Sequence, residues 1–153
     1  MEPRMNVPAV APQLYKAMLG FETAVRRSLP AGLLHLVKLR ASQVNGCAFC
    51  VDMHAHDAKA DGETDERLFS VVAWLEAPYF SDAERAALAL TEAATRLADR
   101  PDPVPDSVWD EAAAHFDEPT LAALVMAIAA VNSWNRMCVA TGQVAGAHRR
   151  AAA

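Results

Sequence analysis

The chain has 153 residues, 53% of them apolar and 22% charged, enough for one domain with a full core and unlike a disordered chain. Fourteen Lys and Arg against 19 Asp and Glu leave a net charge of −5, which argues against a nucleic-acid partner, since that would want a basic face. The longest nearly unbroken apolar run, Leu121 to Val131, is about half of the roughly 20 residues a membrane span needs. Met1-Glu2-Pro3-Arg4-Met5-Asn6 carries no apolar signal core, so a cytoplasmic protein with no membrane partner is expected.

Prolines divide the chain into long proline-free stretches whose apolar residues recur at helical spacing. Leu14, Met18, Phe21 and Val25 follow Pro12, which suits a first helical turn. Leu33, Leu36, Val37 and Val44 repeat the pattern after Pro30, and Asn45-Gly46 breaks it before a new helix at about Cys47. Thr64 reads as the N-cap of a helix carrying Leu68, Val71, Val72 and Leu75. Ser81-Asp82-Ala83-Glu84 has the form of a capping box leading into Leu88 and Leu90. A Pro-rich connector, Asp102 to Asp106, precedes a short helix marked by Val108, Ala112 and Phe116. Asp117-Glu118-Pro119 opens a last helix from Leu121 to about Ala140, apolar nearly all round and so expected at the centre or in a subunit interface. With no strand-like alternation and no internal repeat, the expected fold class is all-α, a helical bundle in a single domain over 1–153.

Three cysteines cannot close a disulfide framework, so chemistry is sought at Cys47-x-x-Cys50. On a helix turning about 100° per residue, Cys50 lies near 300° and His54 near 340° from Cys47, within about 60° of one face. The thiols can bridge, and His54 stands one turn beyond Cys50, within reach of its sulfur. The positive helix start and a neighbouring imidazole both favour thiolate, and a free thiol is only a few per cent ionised at neutral pH. One thiolate can then attack an oxidant, become a sulfenic acid and condense with the other thiol, after which an external dithiol reopens the bridge. The competing reading is zinc, held by Cys47, Cys50 and His54 with His35, Cys138 or a partner chain as fourth ligand.

Other candidates read more plainly. His35, in an apolar helix, reads as a core histidine. His56 and His115 read as surface or packing residues, Glu84 as a cap, Cys138 as a small buried hydrophobe, and the three tryptophans as core or interface anchors. Arg136, inside an apolar helix, needs a partner, such as Glu84 or Glu92 across a subunit interface. Arg149 to Ala153 reads as a frayed tail.

The run Leu36-Val37-Lys38-Leu39-Arg40-Ala41-Ser42-Gln43-Val44-Asn45-Gly46-Cys47-Ala48-Phe49-Cys50-Val51-Asp52-Met53-His54 resembles the core motif of the AhpD-like alkylhydroperoxidases, within the carboxymuconolactone decarboxylase family. The likeness continues through Ala73-Trp74, Phe80 to Leu88 and Asn132 to Arg136. It covers about residues 33–136, leaving a short lead over 1–11 and a tail over 142–153. The resemblance implies an AhpD-like helical fold assembled as trimers or hexamers, and a thiol-dependent peroxidase active in antioxidant defence. It implies that Cys50 is peroxidatic, Cys47 resolving and His54 the base; no bound cofactor or metal is expected. It also implies a hydroperoxide substrate and a dithiol or lipoyl-bearing protein as reductant. Two positions depart from the family: His35 stands where better-known members carry a relay glutamate, and Phe49 where they carry a histidine. His35 could still pass protons, though without a fixed negative charge. Alternatives are a non-enzymatic zinc-binding or redox-sensing oligomer and a lactone decarboxylase, the latter working without a cysteine pair.

Overall fold

The computed structural model describes residues 2–99 and 101–151, so Ala152 and Ala153 of the expected tail lie outside the described residues. Among those described, the chain forms nine α-helices and no strand: α1 (Val7–Val10), α2 (Pro12–Arg26), α3 (Ala31–Val44), α4 (Ala48–Ala60), α5 (Asp65–Ser70), α6 (Asp82–Thr95), α7 (Asp106–His115), α8 (Glu118–Thr141) and α9 (Ala147–Ala151). The helix starts follow local chemistry. Pro12 begins α2, the Thr64 hydroxyl accepts from the Arg67 amide at 3.3 Å, and Ser81 and Glu84 close a reciprocal capping box. Asp117 caps α8 by accepting from the Thr120 amide at 3.0 Å, and Gly142, in the left-handed conformation, ends it.

The bundle is built round α3, which packs on α4, α6 and α8. Leu34, Leu36, Val37, Leu39 and Ala41 are all buried, so this helix has no solvent stripe, and each large side chain contributes about 1.5–3 kcal/mol by leaving water. Leu36 and Leu39 meet Leu68, Val71, Trp74 and Phe80 on one side, while Val37 meets Leu90, Leu124 and Ile128 on the other. The most central helix is therefore α3 rather than α8. α8 is long and apolar enough to cross a membrane, yet it packs Leu121, Leu124, Ala127 and Ile128 into the core and leaves Val125, Met126 and Val139 on the surface.

Two expectations change. The helix capped by Thr64 is short: it tightens into a 3-10 turn at Val71–Ala73 and leaves Val72 and Leu75 exposed. A β-branched pair at 71–72 weakens helix continuation, and Arg85 stabilises the turn instead by donating to the carbonyls of Trp74, Leu75, Ala77 and Phe80. The described part of the tail is also not loose. Asp52 accepts from the Gly146 amide at 2.9 Å and from Arg149 at 2.7 Å, which docks the start of α9 on α4. At the other end, the Arg4 amide donates to the Thr141 carbonyl at 2.7 Å, so the lead segment is tied to the end of α8.

Candidate active site

The turn from α3 to α4 fixes the cysteines. Gly46 takes φ 65°, the left-handed region that glycine enters without steric cost, and this lets the chain reverse into Cys47 as the extended N-cap of α4. A chain of amides holds that turn against α8. Asn45 donates to Asn132 at 3.0 Å and to Asn135 at 2.8 Å, Asn135 donates to Ser42 at 3.0 Å, and Asn132 donates to Thr95 at 3.0 Å. Asn135 is fully buried, so each bond lost would leave a dry polar group costing about 1–3 kcal/mol.

Cys47 and Cys50 are joined as a disulfide with Cα atoms 5.3 Å apart, and the Cys50 amide donates to the Cys47 sulfur at 3.4 Å. Both are buried, but only Cys50 faces a cavity of about 770 Å³ enclosed by α1, α2, α4, α8 and the two chain ends. Its walls are largely apolar, with Leu19, Met53, Val131, Trp134 and Met137 among them. Tyr15 and Trp134 brace the α2–α8 wall edge to face, with centroids 5.4 Å apart.

His54 lies on the same wall one turn beyond Cys50, as its spacing required, and is only 5% exposed. Burial, reinforced by the charge of Lys38, pushes its pKa down to about 3, so with the disulfide closed the imidazole is neutral at pH 7 and resists protonation. This has a consequence for stability. Unfolded, the ring titrates near 6.5; folded, it resists protonation until about 3. Between those values the unfolded chain holds the extra proton, so stability falls as the pH drops below 6.5. About 2 kcal/mol should be lost between pH 7.5 and pH 5, and that part should be missing from His54→Gln. Urea unfolding of the two proteins across this range checks it, and identical pH dependences would refute it.

His35 does not face the cavity. It pairs with Asp61 at 2.7 Å, and it reaches His54 only through its field. One turn along α3 the cavity instead meets Lys38, 3% exposed and paired to Glu22 of α2, with Arg26 donating to the same carboxylate at 2.8 Å. Burial alone would raise the Glu22 pKa, but the hydrogen bonds from Lys38 and Arg26 outweigh it and hold the carboxyl below its ordinary value. Burial also brings Lys38 below the usual lysine range, only partly offset by Glu22. Sequence reading passed over this pair. Its signal is a lysine inside the apolar run Leu33–Leu39 and a lone acid in α2.

Cys138, read as a buried hydrophobe, is buried but lies beside the pair: its sulfur and those of Cys47 and Cys50 all lie within 4.8 Å of one another. Burial raises its pKa to about 11. His54 is not part of that group, so the expected zinc set of Cys47, Cys50 and His54 is not assembled among the described residues. His148, from the tail, was also missed. It lines the cavity, stacks edge to face on Phe49 at 5.7 Å, and buries both ring nitrogens without a hydrogen-bond partner. His56 and His115 are exposed and face Asp52 and Glu111 on their own helices. Glu84 caps α6 and pairs with Arg67 at 2.5 Å, and Glu92 is taken by Arg40 at 2.6 Å. Within the chain Arg136 pairs with neither and donates to the Asn132 side chain at 2.9 Å.

Residues 12–93 match the model of the Carboxymuconolactone decarboxylase family. The chain is similar to the uncharacterised protein YdfG of Bacillus subtilis (strain 168), 38% identical over 143 residues that span 93% of this chain and 96% of the relative. It is 33% identical over 119 residues to the uncharacterised protein YnjA of Escherichia coli (strain K12), spanning 78% of this chain and 64% of that one. Among solved structures, an Agrobacterium tumefaciens protein of unknown function, named for the antioxidant defence protein AhpD, superposes with a TM-score of 0.90 at 35% identity, covering 94% of this chain and 98% of that one. The debrominase Bmp8 shares the fold at 23% identity, with a TM-score of 0.81 over 92% of this chain and 75% of its own.

Proposed function

The chain belongs to the carboxymuconolactone decarboxylase family, and from that premise we propose that it is a thiol-dependent peroxidase in which Cys50 attacks a hydroperoxide. One observation carries this reading: of the paired cysteines, only Cys50 opens on the cavity, and it does so beside a neutral imidazole. In the reduced protein His54 accepts the Cys50 proton, and the resulting thiolate supplies the counter-charge that makes an imidazolium tolerable in a buried wall. The thiolate attacks one peroxide oxygen, the O–O bond breaks, and the alkoxide leaves with a proton as alcohol. Cys47 then condenses with the Cys50 sulfenic acid, water is released, and the disulfide closes. Glu22, held ionised against Lys38, supplies the fixed negative charge on the cavity wall, while His35 acts on His54 from behind. A dithiol or lipoyl-bearing protein reopens the bridge by thiol–disulfide exchange, attacking the sulfur on the cavity side, in a cytoplasmic setting that keeps such dithiols reduced.

The apolar walls suit an organic hydroperoxide. Intact mass of the reduced protein after one equivalent of an organic hydroperoxide tests the reading. Rapid loss of two hydrogens is the expected result; oxidation no faster than that of a free thiol would overturn it. A zinc-bearing oligomer has less support, because the three gathered sulfurs lack a fourth ligand among the described residues. The lactone decarboxylase reading leaves the paired cysteines without a task.

The protein is further proposed to work as a homo-oligomer, a trimer or hexamer. Phe69, Val72, Leu75 and Tyr79 form an exposed apolar strip on α5 and the turn after it, with Phe69 75% and Leu75 71% exposed. Sedimentation should give a multiple of 16.5 kDa, and Phe69→Glu with Leu75→Glu should reduce it to the single-chain mass with helical content unchanged. A wild-type monomer would refute the proposal.

A further inference from the structure

We propose that the reduced protein binds a trivalent thiophilic metalloid, arsenous acid or its antimony counterpart, through Cys47, Cys50 and Cys138 together. Three buried sulfurs lie within 4.8 Å of one another, a spread that fits around one atom whose bonds to sulfur are about 2.3 Å long. They come from two elements that the Asn45–Asn135 bond holds in register, the N-terminus of α4 and the last turn of α8, so Cys138 already stands beside the pair before the Cys47–Cys50 bond is opened. Cys50 and Cys138 both face the cavity, which gives a small neutral hydroxide a path to the sulfurs.

Charge and valence decide which ion suits the site. A divalent ion on three thiolates leaves one net negative charge in an apolar wall and still lacks a fourth ligand among the described residues. The nearest buried cation, Lys38, is already matched by Glu22. A trivalent element with three bonds and a lone pair needs no fourth ligand and forms a neutral trithiolate. Arsenous acid presents three hydroxyls; each condenses with one thiol, an As–O bond breaks, an As–S bond forms and one water leaves. No electrons are transferred and no net proton is released. The disulfide must first be opened by a dithiol or phosphine, which is oxidised in exchange. The inference needs only that reduction, and no peroxide turnover.

The probe is sodium arsenite, added to protein reduced with a phosphine and desalted. Native mass should show one arsenic gained and three hydrogens lost, and arsenic X-ray absorption should show three sulfur neighbours. Cys138→Ala should bind roughly a hundredfold more weakly, through two sulfurs and a retained hydroxide, because the third intramolecular bond is gone. Circular dichroism and thermal melting establish that this variant is folded, and Cys138→Ser serves if it is not. The oxidised protein should take up none. Two sulfur neighbours in the wild type, equal affinity in the Cys138 variant, or binding to the oxidised form would each overturn the proposal. Failure of the peroxidase reading shows separately, as inertness toward hydroperoxide.

Discussion

Cys50→Ser should lower hydroperoxide turnover by roughly a thousandfold or more, whereas Cys47→Ser should react once and then over-oxidise. The asymmetry follows from which sulfur borders the cavity. Both residues are almost fully buried, Cys50 at 1% and Cys47 at 2%, but Cys50 forms part of the cavity wall while Cys47 caps α4 and does not line it. In the Cys47 variant the sulfenic acid on Cys50 has only Cys138 nearby, and a thiol held at a pKa of about 11 supplies almost no thiolate at pH 7. The sulfenic acid therefore persists long enough to meet a second peroxide. Peroxide consumption with a dithiol reductant, followed by intact mass, separates the outcomes: one and then two oxygens added at Cys50 in the Cys47 variant, and no fast oxidation in the Cys50 variant. A Cys50 variant that kept the wild-type rate would remove the nucleophile assignment. A Cys47 variant that cycled normally would move the resolving role to another thiol.

Glu22→Gln should destabilise the fold by about 3–5 kcal/mol, the usual cost of stripping the partner from a buried charge. Lys38 is 3% exposed and Glu22 14% exposed at the side chain, so the pair is nearly dry. Without the carboxylate, Lys38 must either hold a charge away from water or give up its proton, and burial already pulls it toward the second course. Arg26, 58% exposed, can turn to solvent and adds little. Replacing both members with apolar residues, as in Glu22→Leu with Lys38→Met, should recover most of the loss. Urea unfolding of the two single variants and the double variant measures the coupling. A loss below about 1 kcal/mol for Glu22→Gln would mean that water reaches the pair.

Periodicity and capping residues were enough to read the helical class and most of the breaks between helices. Pro12, Thr64, Ser81 and Asp117 each act through a backbone bond to a near neighbour, so their meaning is local. The side of α4 shared by Cys50 and His54 was equally local, a matter of four residues on one helix. What sequence could not supply was the contribution of distant elements to that side. Lys38 and Glu22 stand 16 residues apart and signal their meeting only by each being a charge in an apolar setting. Cys138 lies far along the chain and comes beside Cys50 through the amide chain from Asn45 to Asn135. His35 occupied the expected sequence position for a relay, but the roll of α3 turns it toward Asp61 and leaves Lys38 facing the cavity. The α5 expectation failed for a related reason: Arg85, a turn of α6 away, collects the carbonyls that a longer helix would have kept for itself.

Part of the cavity lining comes from the lead before α2 and from α9. Met5 and Val7 come from the lead tied to α8, and His148 comes from the segment docked on Asp52. The reactive sulfurs, by contrast, are set by α3, α4 and α8 in the interior. Part of the lining and the sulfurs themselves thus come from separate stretches of polypeptide. Exchanging the lead and the α9 segment between relatives therefore offers a direct route to reshaping that part of the lining while leaving the cysteine pair in place.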